Sequence, residues 1–358
     1  MTGAERFLAG CRREDVDATP VWFMRQSGGS LPGYRKLRER HDVMHIARTP
    51  ELSAEVTLEA ADRLGTDGAV LFADVMLAAQ AMGVELELAP TGPVIARPIR
   101  SATDVLGLRT IDAEADLGFV AEAIRLTRAG IGPRAAVIGI AGGPFTVAAY
   151  LIEGGPSRDQ LVAKRLMFGS PQVWFALVDR IADATVEYVR SQVSAGAQAV
   201  QLFDSWAGSL APLDYDTFVA PWARRILKAI RAAGVPAIHF AASGAALLER
   251  LAKDADVVGV DAGQSLRTAR ERLPACAVQG NLDPARLAGG PRAVTAGVER
   301  VLEEAGNAVG HVFNTGHAVP RDTDPGILAG IVDLVHERTT RAPTELATVN
   351  GPAPVRRR

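Results

Sequence analysis

The chain has 358 residues, with 39 lysines and arginines against 41 aspartates and glutamates, and its net charge is -2. This balance offers no broad basic surface, so nucleic acid is not expected as a partner. Two cysteines, Cys11 and Cys276, are too few and too far apart for a disulfide framework or a structural zinc site. No uncharged apolar run is long enough to cross a membrane, and the N-terminus has no secretory signal. We therefore expect a soluble cytoplasmic protein.

The first apolar run, Pro20 to Met24, has the aromatic and β-branched content of a buried strand, and Arg25 follows where the strand becomes a loop. Glycines and prolines between Gly28 and Gly33 predict that this stretch is a loop. Guanidinium groups around a loop suit an anionic small molecule, because arginine binds carboxylates through paired hydrogen bonds. A solvated basic surface explains the same pattern. The basic residues that follow the loop are Arg35, Lys36, Arg38 and Arg40.

A second buried strand is predicted from Gly68 to Phe72, after an amphipathic helix over Pro50 to Leu64. Asp74 stands at the exit of this strand. A buried carboxylate is costly without a partner, which makes Asp74 a candidate functional residue. It would equally serve to cap the helix predicted from Val75 to Met82. A β-hairpin is predicted from Val84 to Ile95, turning near Pro90 and Gly92.

Six further buried strands are predicted to begin near residues 135, 198, 236, 256, 275 and 310, each followed by a helix. Repeated alternation of strand and helix predicts a parallel sheet, and eight such units close a barrel. The sequence therefore predicts the α/β class: a single (β/α)8 TIM barrel over residues 1–338, with N-terminal helical and hairpin additions. The tail over residues 339–358 is expected to be disordered. The main later helices are predicted at Ala113 to Ala129, from Pro144 through Tyr150, and at Pro171 to Ala195, Tyr215 to Ala233, Gly244 to Lys253, Leu266 to Leu273, Ala293 to Glu304 and Asp324 to Arg338.

Active sites of such barrels lie at the carboxyl ends of the strands, so polar residues at strand exits become candidates together. No strand-exit lysine, GxGxxG motif or P-loop accompanies them, and no cofactor or metal is expected. His41 and His45 have the spacing of zinc ligands but lack the glutamate of HExxH, which favours a surface helix. The helix start at Pro144 suits an anion, although an ordinary strand-to-helix turn has the same sequence. The strand-exit candidates are Arg25, Asp74, Ser205, Asp261, Asn281 and His317.

Several separate stretches, in the right order, resemble the uroporphyrinogen decarboxylase family along nearly the whole chain. They are PVWFMRQSG with LPGYRKLR, LFADV around Asp74, GGPFTVAAYLIEGG around Tyr150, LFDSWAG around Ser205, VQGNLDP around Asn281, and FNTGH ending at His317. The resemblance implies a (β/α)8 barrel, commonly a homodimer, that needs neither metal nor organic cofactor. Family members remove carbon dioxide from the four acetate side chains of uroporphyrinogen III, a tetrapyrrole, and give coproporphyrinogen III for haem synthesis.

The resemblance also implies roles for individual residues. Asp74 would accept hydrogen bonds from the pyrrole NH groups and stabilise positive charge when a pyrrole carbon is protonated. Arg25 would bind a carboxylate and is a candidate for proton delivery. The substrate-binding residues implied in the same way are Gln26, Arg38, Tyr150, Phe203, Ser205 and His317.

The chain departs from the family pattern at several strand exits. Gly29 stands where the family usually has arginine, and losing one charged carboxylate partner typically costs roughly 1.5 to 3 kcal/mol. Arg321, an unusual arginine after the His317 turn, lies on a neighbouring strand of a closed barrel and could restore the charge. Ala262 after Asp261, the stretch FAASG, and Ala318 after His317 also differ.

These departures leave other functions open. One is a paralogue that acts on a different porphyrinoid or carboxylated substrate, and another is a non-catalytic porphyrin-binding protein. A third, a zinc-dependent methyltransferase, needs a cysteine near a histidine at strand exits. Cys11 and Cys276 are not placed in that way.

Overall fold

The computed structural model describes residues 1–89 and 92–341. Its strands, in chain order, are β1 Gly68–Val70, β2 Leu86–Ala89, β3 Gly92–Ile95, β4 Ala136–Gly142, β5 Ala199–Phe203, β6 Ala237–Phe240, β7 Val257–Gly259, β8 Ala277–Gln279 and β9 His311–Val312. Seven of them form one parallel sheet in the order β1-β4-β5-β6-β7-β8-β9. The other two, β2 and β3, pair antiparallel and form the predicted hairpin, whose turn residues 90 and 91 lie outside the described residues.

An extended segment around Val21 closes the parallel sheet into a barrel. On one side, Trp22 N donates to Phe313 O at 3.2 Å and Phe313 N donates to Pro20 O at 2.8 Å. On the other side, Asp67 N donates to Val21 O at 2.8 Å. The segment therefore fills the eighth position, between β9 and β1. The prediction of an eight-membered (β/α)8 barrel is confirmed.

Most predicted helices are present, with bounds that follow local capping signals. The helix predicted over Pro50 to Leu64 has these bounds, because proline begins it and Gly65 ends it with φ of 68°. The helix predicted from Tyr215 to Ala233 is two helices, α11 and α12. The described helices are α1 Gly3–Cys11, α2 Pro32–Arg38, α3 Val43–Arg48, α4 Pro50–Leu64, α5 Leu77–Ala81, α6 Ala102–Leu106, α7 Ala113–Ile131, α8 Pro144–Glu153, α9 Leu161–Gly169, α10 Pro171–Ser194, α11 Pro212–Phe218, α12 Ala220–Ala232, α13 Leu248–Leu251, α14 Leu266–Arg272, α15 Pro291–Ala305 and α16 Pro325–Thr339.

The prediction that Gly28 to Gly33 is a loop is wrong at its end, since α2 begins at Pro32. Proline fits the first helical position, and the Glu59 carboxylate accepts hydrogen bonds from Gly33 N at 2.9 Å and Tyr34 N at 3.2 Å. A carboxylate supplied by α4 therefore stabilises a helix start that no neighbouring residue caps. This partner comes from a distant part of the chain, so the local sequence does not reveal it.

The barrel interior is filled by inward-facing apolar side chains of alternate strand positions and by one buried polar chain. Trp22 Nε1 donates to Gln279 Oε1 at 2.8 Å, and Gln279 Nε2 donates to Gln201 Oε1 at 2.9 Å. These bonds join three strands across the core. Because the interior is packed, the barrel is not a pore, and ligands are confined to its ends.

The predicted C-terminal tail can be compared with the structure only as far as residue 341. Helix α16 continues to Thr339, whose hydroxyl accepts from Thr19 N at 2.8 Å, and Arg341 N donates to Asp17 O at 2.8 Å. The predicted disordered tail is therefore wrong for residues 339–341, and the rest of it lies outside the described residues. None of the helices in the described ranges has the length and apolar character needed to span a bilayer.

Candidate active site

Asp74 lies in the loop that leaves β1, at the carboxyl end of the barrel. Its Oδ1 accepts a hydrogen bond from Met76 N at 2.8 Å, which orients the carboxylate at the start of α5. Within the described residues, no hydrogen bond engages Oδ2. Burial raises the pKa of Asp74, whereas the Met76 N–H and the Arg25 guanidinium oppose that shift. Asp74 does not cap α5, whose N-cap is Met76 without a side-chain hydrogen bond. A functional role of Asp74 stays a prediction, for which Oδ2 remains available.

Arg25 is the cation of this cleft. Its side chain is exposed, and no described residue forms an ion pair with it. Its positive charge lowers the pKa values of Asp74, Tyr150 and His317, which places the guanidinium within electrostatic reach of all three. The backbone of Arg25 has φ of 62°, a left-handed conformation that is costly for a residue with a side chain. The strained turn directs the chain away from the barrel wall at the site.

Gln26 has a structural role in this arrangement, which corrects its expected contact with substrate. The side chain is fully buried, its Oε1 accepts from Phe23 N at 2.9 Å, and its Nε2 donates to Gly68 O at 2.9 Å. A further bond of 3.3 Å reaches Thr66 Oγ1. The amide therefore ties the strained turn to β1 and leaves no donor for a ligand. We assign Gln26 to positioning Arg25.

Aromatic rings form the wall of the cleft. Tyr150, on α8, packs on Trp206 with ring centroids 4.2 Å apart. The ring of Phe203, at the end of β5, packs edge-on against that of Phe240, and Phe240 packs in the same way against His317. The ring centroids are 6.3 Å apart in both pairs. Such rings offer flat apolar surfaces to a macrocycle. Trp206 and Phe240 were not among the predicted site residues. Both stand at strand exits, and this position could have identified them from the sequence.

Three polar groups of the cleft can meet a ligand. Burial raises the pKa of Tyr150 and the Asp74 charge raises it further, so the hydroxyl stays protonated and can donate. The Ser205 hydroxyl has no hydrogen-bond partner within residues 1–89 and 92–341. Partial burial against the cleft wall lowers the pKa of His317 and Arg25 lowers it further, while Asp261 opposes the shift. The imidazole is therefore mainly neutral near pH 7.

Asp261 and Asn281, two other strand-exit candidates, hold loops together. The Asp261 carboxylate accepts from Gly263 N at 2.7 Å and Gly244 N at 3.0 Å. The Asn281 amide donates to Asp261 O at 2.9 Å and Gln264 O at 2.7 Å. These hydrogen bonds engage both oxygens of the Asp261 carboxylate and the Nδ2 of Asn281. The pair holds together the loops that follow β7 and β8.

Arg38 lies on α2 at the outer rim of the cleft. Its guanidinium donates to His41 O at 2.6 Å, and its charge opposes the rise that burial causes in the pKa of Tyr34. The Tyr34 ring packs on Phe72, just before Asp74, with centroids 5.2 Å apart. Arg38 is thus connected to the Asp74 region through two aromatic rings. Contact between Arg38 and a substrate carboxylate stays a prediction.

Asp204 is a buried carboxylate that the sequence interpretation passed over in favour of its neighbour Ser205. Its Oδ1 accepts from the backbone N and the hydroxyl of Thr146, both at 2.9 Å, and Oδ2 has no partner. Burial raises its pKa to about 6. The start of α8, considered as an anion site, is thus occupied by this carboxyl group. The Thr146 hydroxyl also accepts a hydrogen bond from Trp206 N at 3.1 Å. This bond helps to hold the Trp206 ring beside Tyr150.

Potential metal ligands are dispersed in the described part of the chain. No group of three or more histidine, cysteine, aspartate or glutamate side chains is close enough to hold an ion there. Cys11 is buried in α1 and Cys276 precedes β8, both away from the strand exits. Burial raises the pKa of both thiols, that of Cys276 to about 12. Neither cysteine therefore offers a thiolate at the cleft.

Comparisons with known proteins identify the family of the chain. Residues 2–338 match the family described as uroporphyrinogen decarboxylase (URO-D). A uroporphyrinogen decarboxylase of Streptomyces coelicolor is 48% identical over 338 residues, covering 94% of this chain and 95% of the relative. One of Syntrophotalea carbinolica is 45% identical over 335 residues, covering 93% of this chain and 97% of the relative. A methyltransferase structure from Methanosarcina mazei, at 19% identity, superposes with a TM-score of 0.80, covers 94% of this chain and 99% of its own, and shows the fold alone. The chain therefore belongs to the uroporphyrinogen decarboxylase family.

Proposed function

We propose that this protein decarboxylates the acetate side chains of uroporphyrinogen III to give coproporphyrinogen III, without a cofactor. One observation carries the proposal: the cleft holds a half-buried carboxylate, Asp74, with one oxygen unused and the Arg25 charge within reach. The substrate combines inward-facing pyrrole NH donors with carboxylates at its periphery. A central acceptor with a cation beside it is complementary to both. The full-length relatives that carry this enzyme's name support the assignment.

Each decarboxylation replaces a CH2–COO− group by a CH3 group and consumes one proton. Protonation of a pyrrole carbon beside the substituted position makes the ring an electron acceptor. The bond between the CH2 carbon and the carboxylate then breaks, its electron pair moves into the ring, and carbon dioxide leaves. A proton adds to the resulting exocyclic methylene, and the ring carbon releases the first proton. The substrate ring thus stores the electron pair itself.

The residues of the cleft fit this sequence. Ionised Asp74 would accept hydrogen bonds from the pyrrole NH groups and stabilise the cationic ring. This electrostatic stabilisation is strongest where water is excluded. Arg25 would hold the departing carboxylate and is placed to assist proton delivery. Tyr150 and Ser205 have hydroxyls available for further carboxylates, and neutral His317 can donate or accept. Phe203 and the neighbouring rings would cover the macrocycle.

A different substrate within the same chemistry is the second candidate. Gly29 removes a cation that the family usually places beside Arg25, so binding of a substrate with eight carboxylates would be weaker or differently directed. A related porphyrinoid or another carboxylated compound would then be preferred. The third hypothesis is a non-catalytic porphyrin-binding protein. A direct assay distinguishes the three hypotheses.

We also propose that the protein acts as a homodimer in the cytoplasm. Family resemblance suggests the dimer. Leu161 and Phe168 on α9 and Leu213 on α11 expose apolar side chains that a second copy could cover. Two unpaired cysteines suit a reducing compartment. Light scattering of the purified protein should give a mass of two chains.

The function is tested by anaerobic incubation of the purified protein with uroporphyrinogen III, followed by oxidation and counting of carboxyl groups by chromatography. We expect products with seven to four carboxyl groups, and the same products after exhaustive chelation. Binding of uroporphyrin III without any loss of carboxyl groups would favour the hypothesis of a non-catalytic porphyrin-binding protein. Activity that disappears on chelation and returns with zinc would favour metal-dependent chemistry.

A further inference from the structure

We propose that Arg321 supplies the carboxylate-binding cation that residue 29 lacks, and thereby determines how strongly this protein holds its polycarboxylate substrate. The inference rests on the proposed function and deepens it by naming a specificity-determining residue. It follows from three features of the described structure: the space at Gly29, the bonds between two loops, and the partners of the arginines around them.

The stem of Arg321 lies directly against Gly29. A Cβ placed on Gly29 would lie 2.9 Å from Arg321 Cβ, 3.2 Å from its Cγ and 3.2 Å from its carbonyl oxygen. Contacts this short require a shift of the neighbouring chain, including its backbone. Any side chain at position 29 therefore competes with Arg321 for the same space. The glycine and the arginine form a matched pair, 292 positions apart in sequence.

Hydrogen bonds hold the two loops in this register. Met24 N donates to Asn314 Oδ1 at 2.9 Å, and Val319 N donates to Met24 O at 2.9 Å. The segment that carries Arg321 is thus bonded to the turn that carries Arg25. The position of Arg321 follows from closure of the barrel between its first and last strands, so its stem lies against Gly29, four residues after Arg25.

Three arginines around the two loops are engaged, whereas Arg321 is available. Arg35 donates to Gly29 O at 3.0 Å and Ser30 O at 2.8 Å, and Arg38 donates to His41 O at 2.6 Å. Arg63 pairs with Glu59 at 3.1 Å. Arg321 is exposed, and no described residue accepts a hydrogen bond from it. An unpaired guanidinium whose stem packs on a neighbouring loop is suited to bind a carboxylate from outside the chain.

The charge of Arg321 acts on Tyr34, on α2. Like Arg38, it opposes the rise that burial causes in the pKa of Tyr34, so its guanidinium lies within electrostatic reach of that hydroxyl. The Tyr34 ring packs on Phe72, two residues before Asp74. A groove of about 880 Å³ lies beside this rim, and its charged lining residues are Arg35, Arg63 and Arg321 together with Asp322 and Asp324. The rim therefore has room for a carboxylate arm next to the cation.

The inference is tested with Arg321→Ala, Arg321→Lys and the double variant Gly29→Arg/Arg321→Gly. Arg321→Ala should lower kcat/KM for uroporphyrinogen III by about 10- to 100-fold, which corresponds to about 1.4 to 2.8 kcal/mol. Arg321→Lys should lose less, because it keeps the charge without the paired donors. Gly29→Arg alone should bring no gain, because the new side chain meets Arg321. In the double variant the Cβ and Cγ of residue 321 are absent, which leaves only its carbonyl oxygen close to a Cβ at position 29, and we expect most of the lost kcat/KM to return.

Binding of uroporphyrin III, followed by fluorescence, gives a readout that does not depend on turnover. Arg321→Ala should weaken this binding by a similar factor with an unchanged thermal midpoint. Arg190→Ala is the matched control, because it removes an exposed arginine near the end of α10. Parent-like binding and kcat/KM in Arg321→Ala, or a double variant no better than Arg321→Ala, would overturn the inference. Failure of the parent to decarboxylate would instead count against the proposed function, and the binding arm would still test Arg321.

Discussion

The charged residues at the two ends of the barrel differ in how many partners they have within the fold. At the amino-terminal end, buried Asp67 accepts from Arg6 at 2.7 Å, from Val21 N at 2.8 Å and from His336 at 2.9 Å. At the carboxyl end, Asp74 has one hydrogen bond to Met76 N, and Arg25 has no described ion-pair partner. One end therefore satisfies its charge internally, and the other leaves donors and acceptors free.

This difference separates stability from function in the molecule. The Asp67 cluster joins α1, the closing segment at Val21 and α16, so it holds the ends of the chain against the barrel. A carboxylate with several partners in a buried site stabilises the fold, and removing it leaves uncompensated groups. Free groups at the other end contribute little to folding but can bind a substrate. The two ends should therefore respond differently to the same kind of substitution.

The largest effect is expected for Asp67→Ala. It leaves Arg6 without one of its acceptors and a buried Val21 N–H unpaired, so the free energy of unfolding should fall by about 3 to 5 kcal/mol. Denaturant titration measures this change, and kcat per folded molecule should remain that of the parent. Asp62→Ala is the control, because its pair with Arg134 is exposed and typically contributes about 0 to 1 kcal/mol. Equal losses in the two variants would contradict the structural role of Asp67.

A slightly smaller effect, on turnover alone, is expected for Asp74→Asn. Asparagine keeps an oxygen for Met76 N but removes the negative charge, so kcat should fall about 100- to 1,000-fold. Thermal unfolding should show no loss of stability, since a half-buried carboxylate with a raised pKa is replaced by a neutral group. Steady-state assays with uroporphyrinogen III provide the measurement. Near-normal turnover would show that charge stabilisation by Asp74 is not part of the reaction.

The smallest change is expected in the pH profile of Arg25→Ala. Arg25 lowers the pKa values of Asp74 and His317, so its removal raises both. If turnover needs ionised Asp74, activity is lost as pH falls through its pKa, and the acid limb of kcat should move to higher pH. Arg25→Lys keeps the charge and should leave the limb close to that of the parent. A limb that moves to lower pH in Arg25→Ala would contradict this account.

The sequence alone determined the barrel and the location of the site. Runs such as the one in β4, Ala136–Gly142, are apolar along their whole length because helices and interior cover both faces of a parallel sheet. Eight such runs, each followed by a helical pattern, predict the closed fold, and the fold places Asp74 and His317 at the same end. Local signals also determined the bounds of α4, since proline and glycine act on the backbone next to them.

Only the tertiary structure decided which side chains are engaged and which are free. Gln26 stands beside Arg25 in the sequence, yet its amide donates to Gly68 O on the adjacent strand β1, 42 positions away. His336 completes the Asp67 cluster from 269 positions away. The contact between Gly29 and Arg321 depends on the first and last strands meeting. Hydrogen bonds, burial and pKa shifts arise from distances between such remote residues, and those distances exist only after the barrel has closed.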